Sequence, residues 1–388
     1  MRLRALALAL AVALPAAGCG KGSGTGGQPV IGVPGTKPEA AQSLGFPQFA
    51  TKNTTRVGGA DAVADAAAVT LTIYPSTTSD THPDAVVLVP QDWRVAAAAA
   101  ALMAPPVRAP LLFSDGTSLP GASDAALKAL APRGSQAIGN AQVIRVGDVA
   151  RPGGLRSTDL TGTDPFTLAN AIDRLVSAAK GSTSDHVVVA SADAPAYSMP
   201  AAAWAAKAGD PVLFVHQSSI PPATVAALRR HQQPKIYVLG PPSAVGASVV
   251  AKLRRLGAVT RISANDPVRN AIAFARFTDG AFGWGVIDPG HGLVFLNASQ
   301  PLSAAAAAPL SASGTYGPAL VVDTAGSVPA ALRGYLLDIQ PGYRKDPVRG
   351  VYNHGWVIGD ERAVSAAAQA RLDALLEIVP VERQKSTS

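Results

Sequence analysis

The sequence predicts an α/β protein built from three tandem β-α-β-α-β repeats with parallel sheets. Three apolar runs, DAVVLVP from Asp84, DHVVVAS from Asp185 and HGLVFLN from His291, each suit a strand buried on both faces. An alanine-rich helical segment follows each run: VAAAAAALMA, PAAAWAAKAG and LSAAAAAPLSA. Strands joined through helices run parallel, with helices covering the sheet. We call the repeats copies one, two and three.

The second half of each copy repeats as closely as the first. A second strand follows a proline in each copy, at Pro110, Pro211 and Pro318. Proline has no backbone N–H to donate to the sheet, and this loss matters little at the first position of a strand. A further helical segment and a third apolar strand follow, as in IYVLG of copy two. Only DVARPGGLRST follows the third strand of copy one, which predicts that this copy lacks the last helix of the other two.

Each copy begins with a polar segment, here called the lead-in, which precedes its first apolar strand. The lead-ins place Asp61, Asp164 and Asp266 at matching positions. Each aspartate is expected to cap the helix that follows it by accepting backbone N–H bonds. With the lead-ins included, we predict copy one over 52–154, copy two over 155–257 and copy three over 258–380, followed by a tail over 381–388.

The first residues predict export and lipidation. Arg2 and Arg4 precede an apolar run that is too short to span a bilayer comfortably, and small residues follow, as in a signal peptide over 1–18. Cys19 is the single cysteine of the chain, so intramolecular disulfides are excluded. The string AAGC resembles the bacterial lipobox, which implies a diacylglyceryl group on Cys19. The Gly-, Ser- and Pro-rich segment that follows predicts a flexible linker over 19–51.

The repeat pattern resembles the cell wall binding repeat type 2 family. The resemblance rests on the lead-in Asp, the alanine helix, the proline before three aliphatic residues and the third strand ending in glycine. It implies a Rossmann-like fold in each repeat, a pseudo-threefold arrangement and noncovalent binding to an anionic wall polymer, a glycan or teichoic-type chain. The family's Arg-Tyr after the lead-in Asp is absent here, and so is the Asp that in the family follows an aromatic residue and opens the alanine helix. These departures leave the predicted fold unchanged, but they weaken the inference about which polymer is bound.

Composition narrows the function classes. The chain has 388 residues and a net charge of +7, which favours anionic partners without selecting one. Nucleic acid is not expected, because no basic run is interleaved with aromatic residues. Apolar residues make up 48% of the chain and charged residues 15%, which excludes wholesale disorder.

Ligands of open parallel sheets usually meet the loops beyond the carboxyl ends of the strands. We therefore expect polymer contacts in the loops after the first and second strands of each copy. Aromatic rings there would stack on sugars, and arginines would serve anionic groups. The candidate residues are Asp92, Trp93, Arg94, Asp115, Asp193, Tyr197, His216, Asn297, Gln300 and Asp323. Further arginine candidates are Arg145, Arg151, Arg156, Arg261 and Arg349.

The string VIDPGHG raises an alternative, because it resembles the metal-binding motif of zinc-dependent peptidoglycan amidases. A zinc site needs about three protein ligands brought together in space. The glutamate of the amidase pattern is missing, since no Asp or Glu lies between Gly292 and Val322. His354 and Glu361 are the remaining conceivable partners. We therefore favour a tight bend shaped by Pro289, Gly290 and Gly292 as the explanation of the string.

These observations predict a lipid-anchored, extracytoplasmic wall-binding protein with no catalytic residue, metal or cofactor. The lipid on Cys19 would anchor the protein in the membrane, and the repeats would bind the cell wall. Two alternatives stay open: a solute-binding lipoprotein of a transport system, which would need two lobes and a deep cleft, and a zinc amidase or amidase regulator.

Overall fold

The computed structural model of the chain describes residues 49–313 and 316–381. The predicted signal peptide, Cys19 and nearly all of the predicted linker lie outside the described residues. No helix within the described ranges combines the length and the apolar character needed to cross a bilayer.

Each copy forms a parallel sheet, which confirms the predicted α/β fold. In all three sheets the first strand lies between the second and the third, and a fourth strand from a lead-in borders the third. The first, second and third strands are Val86–Pro90, Leu111–Ser114 and Val143–Val146 in copy one, His186–Ser191, Val212–Val215 and Lys235–Leu239 in copy two, and Gly292–Asn297, Tyr316–Val322 and His354–Ile358 in copy three.

Helices cover these sheets in the predicted order. The alanine helices are Trp93–Ala99, continued by the 3-10 turn Ala100–Met103, then Pro200–Ala208, preceded by the short Pro195–Ser198, and Pro301–Ala312. The helices after the second strands are Gly121–Leu130, Pro222–Arg230 and Ala330–Asp338. A last helix follows the third strand in copies two and three, Ala247–Leu253 and Ala366–Leu376. Copy one has no helix between Gly147 and Arg156, as predicted.

The lead-ins connect neighbouring copies. Their strands are Thr54–Val57, Ser157–Leu160 and Ala258–Ile262, and their helices are Ala62–Ile73, Pro165–Lys180 and Pro267–Arg276. Each lead-in helix packs beside the second strand of its own copy, whereas its strand pairs with the third strand of the preceding copy. The first lead-in therefore pairs with copy three, where Trp356 is opposite Thr55. This pairing closes the three copies into a ring. An antiparallel strand, Phe49–Ala50, borders it.

The three predicted helix caps are confirmed. Asp61 accepts a hydrogen bond from Ala64 N at 2.9 Å, Asp164 from Phe166 N and Thr167 N, and Asp266 from Arg269 N at 2.8 Å. These side chains satisfy amide groups that have no partner within the first turn of a helix.

The proline prediction holds in two copies and is wrong in the third. Leu111 and Val212 begin their strands directly after a proline. Pro318 instead lies inside the strand Tyr316–Val322, at an irregularity in its pairing with Gly292–Asn297. The pairing can skip a residue there, so a residue without an N–H is accommodated.

A buried arginine secures the closure of the ring. Arg56, on the first lead-in strand, donates to Gly359 O at 2.7 Å and to Val364 O, both in copy three. Its Nε donates to Gln369 Oε1 at 3.0 Å. Burial lowers the pKa of this guanidinium, but the carbonyl oxygens around it satisfy its donors. Arg261 makes the equivalent contacts in copy two, where it donates to Gly240 O and Val245 O.

The alanine helices form the centre of the molecule. The helix of copy three packs on those of copies one and two, which also pack on each other. Most of their residues are fully buried, because the methyl side chain lets helices and sheets approach closely. Such mutual contact among three equivalent helices fits the expected pseudo-threefold arrangement.

Candidate functional site

The loops beyond the first strands come from all three copies. In copy one, Asp92 caps the alanine helix through Arg94 N at 2.9 Å and pairs with the guanidinium of Arg94 at 2.8 Å. Burial acts to raise the pKa of Asp92, but the hydrogen bonds and charge of Arg94 lower it overall. Trp93 is half-buried, and its ring lies edge-on to Phe214 of copy two, with centroids 5.5 Å apart.

In copy two the candidate side chains are engaged with one another. Asp193 accepts from Gln217 N and lies 2.9 Å from Nδ1 of His216. Burial acts to raise the pKa of Asp193, but these two partners lower it overall. Tyr197 donates its hydroxyl proton to Asn265 O at 2.9 Å. The His216 ring packs on Phe166, with centroids 5.1 Å apart, and both border a groove of about 450 Å³.

Copy three contributes two side chains to this edge of its sheet. Asn297 is buried, donates to Ala363 O at 2.7 Å and accepts from Ser299 N and Oγ, so it shapes the loop. Gln300 is half-buried and faces a crevice. Asp115 and Asp323 are exposed and do not line this crevice.

That crevice lies where copy three meets copy one, and it has a volume of about 410 Å³. We call it the closure crevice, because it exists only where the first lead-in completes the sheet of copy three. It combines polar groups with one large aromatic ring, as carbohydrate-sized ligand pockets do. Its side-chain lining includes Asp61, Asp65, Gln91, Trp93, Ser299, Gln300, Ser303 and Asp360.

Asp65 forms the floor of the closure crevice. It is 1% exposed, accepts from Gly59 N at 2.9 Å and from Ser303 Oγ at 3.0 Å, and thereby bridges copy one and copy three. Burial raises its pKa to about 7, with hydrogen bonds opposing the shift only in part. At neutral pH this group therefore exists in both protonation states.

At the two other junctions between copies, a different side chain stands where Asp65 stands. Leu168 occupies the position of Asp65 at the junction of copies one and two, where a Cβ on Gly162 would come within 2.9 Å of it. At the next junction Asn270 donates to Tyr197 O at 3.3 Å, and Tyr197 packs against Gly240. Of these three equivalent helix positions, the one at the closure crevice carries a carboxylate, that of Asp65.

Sequence reasoning found Trp93 and Gln300 but missed Asp65. The detectable signal was its spacing: an aspartate four residues after the capping Asp61 falls on the apolar face of a helix, where Leu168 and the amide of Asn270 stand in the other copies. An unpaired charge at such a position is expensive, which marks it as a candidate site.

The further arginine candidates have mostly local partners. Arg145 donates to Val149 O and Ala150 O and pairs with Asp159 at 2.8 Å. Arg151 also pairs with Asp159, and Arg156 donates to Asn140 O.

The DPGHG string forms a turn before the first strand of copy three. Gly290 has a φ of +108°, and Asn353 Oδ1 accepts from both Gly290 N and His291 N. His291 Nε2 lies 3.0 Å from Asp288 Oδ1. Within residues 49–313 and 316–381, no three His, Cys, Asp or Glu side chains are grouped as metal ligands.

Comparison with known proteins gives one family match over part of the chain and two structures with a similar fold. The family model of cell wall binding domain 2 matches residues 160–250, which cover most of copy two, and confirms the resemblance for that segment. Two solved structures share the fold over 84% of the chain. They are Cwp6 from Clostridium difficile, at 16% identity and a TM-score of 0.66, and Cwp8 from the same organism, at 19% and 0.60. This chain covers 48% of the first and 51% of the second. No curated protein sequence matches it.

Proposed function

We propose that the chain is a non-catalytic, lipid-anchored surface protein that holds a cell-wall polymer in the closure crevice. The match of residues 160–250 to a cell wall binding domain supports the coarse part of this function. The single observation that supports the site is the convergence of Trp93, Gln300 and Asp65 from two copies on one open crevice.

The chemistry of the crevice favours a sugar unit over a charged group. Arg94 lies over the ring of Trp93, 5.6 Å from its centroid, and we infer that a sugar ring stacks on the aromatic surface that lines the crevice. The amides of Gln91 and Gln300 can donate to and accept from hydroxyl groups. Asp61, Asp65 and Asp360 line the same space, so a phosphate or carboxylate of the polymer would be repelled from it. We infer that the anionic groups of the polymer lie outside, attracted by the net positive charge of the chain, which is +7 and falls to +5 when residues 1–18 are removed with Arg2 and Arg4.

The lipid anchor completes the proposal. Cys19 would carry the acyl chains, and the segment up to residue 48 would span the distance between the bilayer and the folded copies. A protein held at both ends in this way connects the membrane to the wall without any chemical step.

The test is a pull-down of the purified chain on wall sacculi, before and after the anionic polymers are stripped. We expect binding to intact sacculi and its loss on stripping. Equal binding to both preparations, or binding to neither, would contradict the proposal. Release of soluble peptidoglycan fragments during the incubation would contradict its non-catalytic part.

A further inference from the structure

Copy three carries a long segment at the edge of its sheet opposite the closure crevice. Fifteen residues separate the helix Ala330–Asp338 from the strand His354–Ile358, against twelve at the same place in copy one and four in copy two. The segment forms the short strand Gly342–Tyr343, which pairs with Val379–Pro380, and the 3-10 turn Pro347–Arg349.

This segment and its neighbours expose apolar side chains. Of the six large hydrophobic side chains that are exposed within the described ranges, five lie here: Ile287 at 63%, Val348 at 80%, Val351 at 51%, Tyr352 at 49% and Val381 at 51%. The segments that carry these side chains contact one another. The turn at Gly290 packs on Val351, Tyr352 donates to Pro347 O, and Val381 N donates to Tyr343 O at 2.8 Å.

Three basic side chains lie beside these apolar residues. Arg344, Lys345 and Arg349 line a shallow depression of about 590 Å³ together with Val381. No carboxylate of the described residues forms an ion pair with any of the three. The one acidic residue of the depression, Asp346, caps the 3-10 turn through Val348 N at 3.0 Å. We call the five apolar and three basic residues the apolar-basic patch.

The position of the patch relates it to the N-terminal part of the chain. Asn53 donates to Glu377 Oε2 at 2.9 Å, and Lys52 pairs with the same carboxylate, two residues before the strand Val379–Pro380. The chain therefore enters the folded copies beside the patch. Both lie at the amino edge of the copy-three sheet, because residues 287–290 and 351–352 precede its strands. The closure crevice follows the same strands and lies at the carboxyl edge.

We propose that the apolar-basic patch rests on the surface of an anionic lipid bilayer. Aliphatic side chains and a tyrosine partition into the interfacial region, while neighbouring cations bind the lipid phosphates. A hydrated polyanion would use the cations but gains nothing from exposed Val348 or Ile287, so the composition favours lipid. With the patch on the membrane, the closure crevice points away from it; only this orientation toward the wall rests on the proposed function.

Vesicle sedimentation tests the proposal. The chain from Gly20 onward, which retains every described residue and carries no acyl group, is mixed with phosphatidylglycerol–phosphatidylcholine vesicles and with pure phosphatidylcholine vesicles. We expect selective binding to the anionic vesicles. The double variant Val348→Asp/Val351→Asp and the triple variant Arg344→Gln/Lys345→Gln/Arg349→Gln should each weaken binding at least tenfold. All five side chains are exposed or at the surface of the depression, so far-UV circular dichroism should be unchanged.

A matched control separates the patch from net charge. Lys252, Arg254 and Arg255 are exposed cations of copy two, and the triple change to Gln removes the same charge. We expect less than a twofold effect from it. Equal losses from the two triple variants, full binding by the valine variant, or absence of vesicle binding would each overturn the proposal. Loss of sacculus binding in the patch variants, with vesicle binding intact, would identify the patch as a polymer site and would also overturn it. Sacculus binding is measured for every variant, so a failure of the proposed function is seen separately.

Discussion

At the scale of single residues, one position shows how the copies have diverged. Asp65, Leu168 and Asn270 occupy equivalent places on the lead-in helices, and only the first is ionisable. The capping aspartates were predictable because capping is local: a side chain and an amide two or three residues apart. The role of Asp65 was not, because its neighbour Ser303 is 238 residues away and the copy boundary that joins them closes only in the folded ring.

Asp65 makes the stability of the chain depend on pH. Its pKa is raised in the folded state to about 7, so the native chain binds a proton there that the unfolded chain releases at lower pH. Stability from this group is present at acidic pH and lost as the pH rises toward and through 7. Between pH 5 and pH 8 we expect the free energy of unfolding to fall by about 2 to 3 kcal/mol on this account.

The substitution Asp65→Asn removes that dependence, and it retains the polar contacts, as Asn270 does in copy three. Urea denaturation at pH 5 and pH 8 measures it. The difference between the two pH values should shrink by about the amount above in Asp65→Asn and stay unchanged in the control Asp124→Asn, which alters an exposed carboxylate. The same pH dependence in all three chains would show that burial does not perturb Asp65.

At the scale of elements, the first lead-in strand is the piece whose placement the sequence did not reveal. Its apolar and polar pattern predicted neither a strand nor a partner, because the pairing of distant strands depends on the assembled ring. The parallel direction of the strands within each copy was predictable, since strands joined through helices run parallel in one sheet, but their order was not. The pairing of Thr54–Val57 with His354–Ile358 joins residues about 300 positions apart.

Arg56 is expected to stabilise this strand strongly. Arg56→Met keeps the aliphatic stem but removes the guanidinium donor from Gly359 O and Val364 O, whereas Asp360 O still accepts from Ala363 N and Val364 N. Lost charge-assisted hydrogen bonds to buried acceptors should cost about 3 kcal/mol or more of unfolding free energy. Arg371→Met, on the exposed surface of the last helix, should stay within about 0.5 kcal/mol. Chemical denaturation compares the two variants, and equal effects would mean that the buried guanidinium does not hold the strand.

At the scale of the whole molecule, the three copies share one interior. Each sheet borrows a strand from a neighbouring lead-in, and the alanine helices meet at the centre. Alanine-rich segments were readily predicted as helices, but their meeting point was not predicted, because alanine runs carry little information about partners. The family resemblance implied only the pseudo-threefold arrangement of the copies.

Sharing of strands and core should make unfolding cooperative. Trp93 reports on copy one, Trp204 on copy two and Trp356 on copy three, and far-UV circular dichroism reports on all helices. In urea we expect single-tryptophan variants and circular dichroism to give one coincident midpoint. Three separate midpoints would show that the copies fold as independent domains.

The central claim is that the closure crevice binds the wall polymer, and sacculus binding by two aromatic variants tests it most directly. Trp93 and Phe166 are both half-buried rings at the carboxyl edges of the sheets, but only Trp93 lines the closure crevice. We predict that Trp93→Ala weakens binding at least tenfold, since stacking contacts of this kind are worth about 1 to 3 kcal/mol, while Phe166→Ala retains it. Wild-type binding by a folded Trp93→Ala variant, or equal loss in both variants, would contradict the account.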